Sequence, residues 1–308
     1  MNFGEKWATL IGFAAIIAYF WIKAPGTFGT ISNFKAVLDQ ASITVILAVG
    51  LTTVLAVAEF DLSFPYALGL SSAAATLSMT DLHWPTWAAV VMGVAVGLVA
   101  NTVAGYLVAQ QRVSSFVVTL GFGFVWLGIA DGLTSSRVIS AGLNTSFGDL
   151  ILKRPLGFTL ATWIALVFAL LFGVLFRWTI AGRYLMAVGS NPVATRLAGL
   201  PIARIRIFAY ALLGLAVGIA AVIITSRQAQ YTPGVGNGLF LSPYVAAFFG
   251  MSVLGVRRFN IFGTVIGALF MGTLQTGLTI IGAASWLYEL IQGAALLIIL
   301  LIARRASS

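Results

Sequence analysis

The chain has 308 residues, 60% of them hydrophobic and only 8% charged, with a formal net charge of +9 and no cysteine. A soluble domain of that size needs more charge to cover its surface, so lipid is the solvent for most of the chain. Disulfides and cysteine-based metal or redox sites are excluded, and the positive balance reads as orientation and contact with membrane lipid, with no nucleic acid partner.

A hydrocarbon core of roughly 30 Å takes about 20 apolar residues of helix. Such runs lie near residues 7–22, 37–57, 62–80, 85–109, 113–133, 157–177, 204–226, 241–256, 261–282 and 285–303. They predict an all-α polytopic membrane protein with about ten transmembrane helices, forming a single transmembrane domain over residues 1–308. The first run is read as a retained span, because no small-x-small cleavage site precedes Lys23-Ala24-Pro25-Gly26.

The second and third runs are separated only by Glu59-Phe60-Asp61. Asp61 can cap free N–H groups and Pro65 suits a first helical turn, so a helix starts here. A start between two apolar runs suggests a broken or re-entrant helix near residues 58–66. Two readings stay open: a cap at a short turn on the membrane surface, or one that lines or braces a conduit. The single histidine, His83, is read as an interfacial loop residue, and Asp131 and Glu289 as interfacial groups near span ends. Asn101, Ser114, Ser115, Thr119, Gln275 and Thr276 are polar positions on spans that could bond a hydroxylated solute or a neighbouring helix.

Orientation follows from basic residues in the loops. An inside N-terminus places Lys6, Arg112, Arg177, Arg183, Arg196, Arg204, Arg206, Arg257, Arg258, Arg304 and Arg305 in the cytoplasm. Lys23, Lys35, Arg137, Lys153, Arg154 and Arg227 then lie outside. Both termini are therefore expected inside, with an extracytoplasmic loop over 135–156 and a cytoplasmic loop over 178–203. Glycines four apart mark candidate helix crossings at Gly93/Gly97, Gly128/Gly132, Gly214/Gly218 and Gly263/Gly267.

No phosphate loop, His-Glu-x-x-His pattern or nucleophile elbow occurs, and Gly234-Val235-Gly236-Asn237-Gly238 reads as a turn. The chain is not read as an enzyme, and no metal or cofactor is expected on it. The loop from Gly182 to Leu200 is the most informative segment: a short, amphipathic, arginine-bearing stretch between two apolar spans. A loop so organised, on a chain without a nucleotide site, points to docking with a separate motor.

That loop carries Gly182, Arg183, Ala187, Gly189, Asn191, Ala194, Arg196 and Gly199 in the spacing Gly-Arg…Ala-x-Gly-x-Asn-x-x-Ala-x-Arg-x-x-Gly, with Pro192 after the Asn. In this it resembles the permease subunits of ribose-type ABC sugar importers, within the branched-chain amino acid/ribose permease superfamily. Asp61-Leu62-Ser63 resembles the family's Gly-x-Asp-Leu-Ser turn, with Glu59 where glycine is usual. Asn101, Phe116 to Gly121, Gly263 to Leu269 and Gly277-Leu278 extend the resemblance along nearly the whole chain. Departures fall mainly in the last third: Phe240-Leu241-Ser242-Pro243 replaces an acidic segment, and Met251, Val256, Arg257 and Phe259 stand where glycine is common. Leu127 replaces a usual arginine.

The resemblance implies a multi-pass permease of the bacterial inner membrane that translocates a monosaccharide or sugar-like solute delivered by a periplasmic sugar-binding protein. It implies a cytoplasmic ABC ATPase that holds ATP and Mg²⁺, and a second permease subunit in a homodimer or heterodimer. The coupling loop would contact the ATPase. Asp61, Ser63, Asn101, Phe116 and Thr119 are the expected path residues, with Gly93, Gly97, Gly214, Gly218, Gly263 and Gly267 in helix packing. A branched-chain amino acid ABC permease and an ion-coupled secondary carrier are the alternatives; the first needs charged partners for its solute, and the second an intramembrane acid–base set.

Overall fold

A computed structural model of the chain describes residues 3–111, 113–140, 142–253 and 258–305. Arg112, Val256 and Arg257, which entered the charge and glycine readings, lie outside those residues. Among the described residues fourteen α-helices run α1 (Phe3–Lys23), α2 (Pro25–Phe28), α3 (Ile31–Ala56), α4 (Phe64–Thr80), α5 (Thr86–Gln111), α6 (Ser115–Thr134) and α7 (Thr145–Leu152), then α8 (Leu160–Trp178), α9 (Ile180–Ser190), α10 (Pro192–Leu197), α11 (Ile202–Gln228), α12 (Leu241–Ser252), α13 (Ile261–Ile280) and α14 (Ser285–Arg305).

Among the described residues every apolar run expected from the sequence overlaps a helix. Among the described residues six helices are long and apolar enough to cross a membrane: α3, α5, α6, α8, α11 and α13. The protein is therefore an all-α, multi-pass membrane protein. Its α4 has 17 residues and α12 only 12, fewer than the roughly 20 that span a hydrocarbon core.

Short polar residues set the helix starts. Thr159 accepts from Thr162 N, Thr179 from Gly182 N, Asn191 from Ala194 N and Asn260 from Gly263 N. Each satisfies a backbone donor left open by the first turn. The 135–156 connection, expected as a polar loop, contains α7. Its Phe147 is buried against Met79, Ala89 and Val222, and Phe147 O accepts from the Ser226 hydroxyl.

The chain divides into two compact units, one of residues 1–52, 164–173 and 241–308 and the other of residues 53–163 and 174–240. In the first, α12 packs on α13 through glycine: a Cβ at Gly263 would lie 2.2 Å from Gly250 O, and one at Gly267 2.2 Å from Ala246 O. Phe249 and Phe270 stack at 4.5 Å beside Val245 and Met271, and the Thr52 and Thr264 hydroxyls share a 2.9 Å hydrogen bond.

In the second unit α4 is the inner helix, packed against α5, α6 and α11. It is apolar or small all round, as a fully surrounded helix must be, and Ser72 meets Thr225 of α11 by a hydroxyl pair. The α5–α11 crossing is built from Gly97, Gly214 and Gly218: a Cβ at Gly97 would lie 2.6 Å from Gly218 N, and one at Gly214 2.6 Å from Gly97 O. Gly93 lies against Ala75 and Val222. By contrast, a Cβ at Gly128 or Gly132 would meet nothing within 4 Å, so that pair forms no crossing among the described residues.

Candidate functional site

Two features of the second unit adjoin. The first is the connection from α3 to α4, residues 57–63, which is not helical although Val57, Asp61, Leu62 and Ser63 are buried. Backbone groups shielded from water need partners, and here nearly every N–H finds one. Ala58 adopts φ +59°, and Ala58 N donates to Leu55 O at 3.0 Å while Glu59 N donates to Val54 O at 3.2 Å. That pair of bonds around a left-handed residue closes the helix C-terminus in the manner usually served by glycine.

The next residues are held from both sides. Ser115 and Thr119, one turn apart on α6, accept from Phe60 N at 3.2 Å and Leu62 N at 2.9 Å. Arg206 and Tyr210, one turn apart on α11, take the opposite side: the Arg206 guanidinium meets the Glu59 carboxylate at 3.0 Å, and Tyr210 OH donates to Phe60 O at 2.7 Å. Asp61 Oδ1 accepts from Ser63 N at 2.6 Å, the Ser63 hydroxyl at 2.6 Å and Phe64 N at 3.1 Å, which opens α4.

The second feature is the helix pair α9–α10. Asn191 ends α9 and caps α10, Pro192 fills its first position, and the Thr195 hydroxyl donates back to Ala187 O at 2.9 Å. One face of α9 is turned inward through Gly182, Leu185 and Val188. A Cβ at Gly182 would lie 2.2 Å from Leu175 O, and one at Gly189 2.0 Å from Ala56 O. The outer side of α9 and most of α10 are open: Arg183, Tyr184, Asn191, Pro192, Ala194, Arg196 and Gly199 are exposed, with Val193 at 69% and Leu197 at 86%.

Residues 33–300 match the model of the family described as branched-chain amino acid transport system / permease component. The chain belongs to this permease family. It is 32% identical over 297 residues to the ribose import permease protein of Escherichia coli strain K12, covering 96% of this chain and 92% of that one. It is 33% identical over 278 residues to the L-arabinose ABC transporter permease protein of Azospirillum brasilense, covering 89% and 80%. It is 26% identical over 356 residues to the xylose transport system permease protein of Haemophilus influenzae, covering 96% and 94%.

Within this permease the expected site residues separate into groups. Gly182 and Gly189 face the packed interior, not the open face of α9. Ala187 is half-buried, while Arg183, Asn191, Pro192, Ala194, Arg196 and Gly199 lie on the open side. Of the expected path residues, Asp61, Ser63 and Thr119 come together at the connection, fully buried and bonded to backbone or to one another. Asn101 is buried on α5, with Nδ2 donating to Gly97 O at 3.0 Å and Oδ1 without a partner among the described residues. Phe116 is on the surface of α6, 53% exposed. Sequence reasoning passed over Val193 and Leu197. Their four-residue spacing on a six-residue helix was a usable signal for an exposed apolar face.

Proposed function

We propose that this permease is the membrane subunit of an ATP-driven importer for a monosaccharide or sugar-like solute, and that α9–α10 is where a cytoplasmic ABC ATPase docks. The carrying observation is the pairing of an open side, with the apolar Val193 and Leu197 and the cationic Arg183 and Arg196 all exposed, with an inner face pinned by Gly182 and Gly189. An exposed apolar patch rimmed by cations marks an interaction surface. An element that cannot slide against its own protein transmits force instead of absorbing it. The relatives, by name a ribose import permease, an L-arabinose ABC transporter permease and a xylose transport system permease, support the solute class.

On this reading both termini and α9–α10 lie in the cytoplasm, and a periplasmic binding protein presents the solute to the opposite face. A second permease subunit completes the conduit, and ATP and Mg²⁺ reside on the partner ATPase. The connection between α3 and α4 is a break in a membrane helix, and about ten helices span the bilayer of a bacterial inner membrane. Glu59 is paired with Arg206 and Asp61 accepts from the start of α4, so these acids serve the fold instead of a solute's ammonium group or a proton relay. This argues for sugar over a branched-chain amino acid or an ion-coupled cycle.

The test is uptake in proteoliposomes holding the permease, its ATPase and its binding protein, with radiolabelled D-ribose, D-xylose, L-arabinose and L-leucine. ATP-dependent accumulation of a sugar is expected. Accumulation of leucine, or sugar uptake driven by a proton gradient without ATP, contradicts the proposal.

A further inference from the structure

We infer that residues 56–62 form a lever that carries displacement of α9 into the inner bundle, and that Glu59, Arg206 and Tyr210 are the residues that position it. This inference rests on the reading of α9–α10 as the ATPase-docking element. It adds the internal route by which movement there reaches the conduit.

The geometry is continuous. At Gly189 the α9 backbone approaches so near Ala56 O that no side chain fits between them, so a shift of α9 presses directly on the last turn of α3. Ala58 N is the next nearest group, 3.3 Å from the same Cβ position. Beyond Glu59 the chain leaves the helical ladder until α4 begins at Phe64. It is stiffened from outside, by Arg206 on the Glu59 side chain and Tyr210 on the Phe60 carbonyl. Ser115 and Thr119 hold the N–H groups on the α6 side. Asp61 then fastens the far end to the N-terminus of α4, the helix most surrounded in this unit.

A free loop would dissipate a push. A segment gripped by two residues of α11 and two of α6 passes it to α4, α6 and α11 together. The arrangement also accounts for Glu59, which stands where a glycine is expected from the family resemblance. A carboxylate at that position gives α11 a charged handle on the segment, and Arg206 is its counterpart at 3.0 Å with both side chains largely buried. Tyr210 adds a second grip one turn along the same helix face.

The experiment uses the full permease reconstituted with its ATPase and binding protein, and reads solute taken up per ATP hydrolysed, with radiolabelled D-ribose, D-xylose and L-arabinose as probes. Glu59→Gln and Arg206→Gln are expected to keep the ATPase bound and its basal hydrolysis unchanged. Each lowers uptake per ATP by roughly fivefold or more, the lower end of a typical coupling between sites. The double swap Glu59→Arg with Arg206→Glu restores most of that loss. Tyr210→Phe, which removes one hydroxyl and no apolar volume, lowers the same ratio and serves should the charge variants not fold. Wild-type uptake per ATP in the Gln and Phe variants, or a swap as impaired as its parents, overturns the lever while leaving the importer intact. Failure of any ATPase to bind the wild-type permease removes the importer reading itself, and the lever with it.

Discussion

Gly189 of α9 and Ala56 at the end of α3 approach so closely that a Cβ on the glycine would lie 2.0 Å from the alanine carbonyl oxygen. A surface helix pair and a buried, non-helical connection are thereby joined at one point. The rest of the unit explains why that point is rigid: Gly182 fixes the other end of α9 against Leu175, and α6 and α11 hold the connection beyond Ala58.

Ala58 occupies the left-handed region at φ +59°, where an L side chain costs about 1–2 kcal/mol relative to glycine. Ala58→Gly is therefore expected to raise the thermal unfolding midpoint of the detergent-purified protein. A lowered midpoint would mean that the methyl group contributes packing that outweighs the strain.

Thr119 supplies the acceptor for Leu62 N, and both are buried. Thr119→Val keeps the shape but leaves that N–H without a partner, which costs about 1–3 kcal/mol. Thr119→Ser retains the oxygen and should cost clearly less. Unfolding midpoints of the two variants check the order, and equal values would show that the hydroxyl carries nothing.

The α5–α11 crossing predicts a sharp contrast between glycines. Gly97→Ala forces the helices apart and should destabilise by about 1–3 kcal/mol. Gly121→Ala, with open space around its Cβ, should be neutral or slightly stabilising because alanine favours helix. Comparable behaviour of the two variants would contradict the close approach at Gly97.

Much of this was legible in the sequence because membrane helices write themselves as long apolar runs: all ten runs overlap helices, and six of those helices, among the described residues, are long and apolar enough to cross a membrane. The glycine spacings at 93/97, 214/218 and 263/267 pointed to positions that abut other helices, since only small residues permit such approach. The spacing at 128/132 is the same, yet nothing lies near it, because spacing reports which residues share a face and not what that face meets. Gly250, the partner of Gly263, carries no four-residue signature, so spacing could not reveal it.

The connection between α3 and α4 shows the other limit. Asp61 and Pro65 announced a helix start through local chemistry, but the partners that hold the segment, Ser115, Thr119, Arg206 and Tyr210, are 55 to 150 residues away in the chain. In the sequence Arg206 reads only as a loop charge that sets orientation. α7 was hidden because an eight-residue helix with two buried positions leaves too short a pattern to separate from a polar loop.

The open face of α10 predicts a docking defect without a folding defect. Leu197→Glu and Val193→Asp place charge on a surface that is already solvated in the isolated permease, so the unfolding midpoint should hardly change. Each should reduce co-purification of the ATPase by about tenfold or more, as burying an unpaired charge in an interface does. Unchanged co-purification would show that the ATPase docks elsewhere.

Because the chain has no cysteine, a single Leu197→Cys variant reports on this face directly. The measurement is labelling by a membrane-impermeant maleimide in inverted and right-side-out vesicles, with and without the ATPase. Labelling is expected in inverted vesicles alone, with strong protection once the ATPase is bound. Labelling in right-side-out vesicles, or labelling indifferent to the ATPase, would contradict docking on this face.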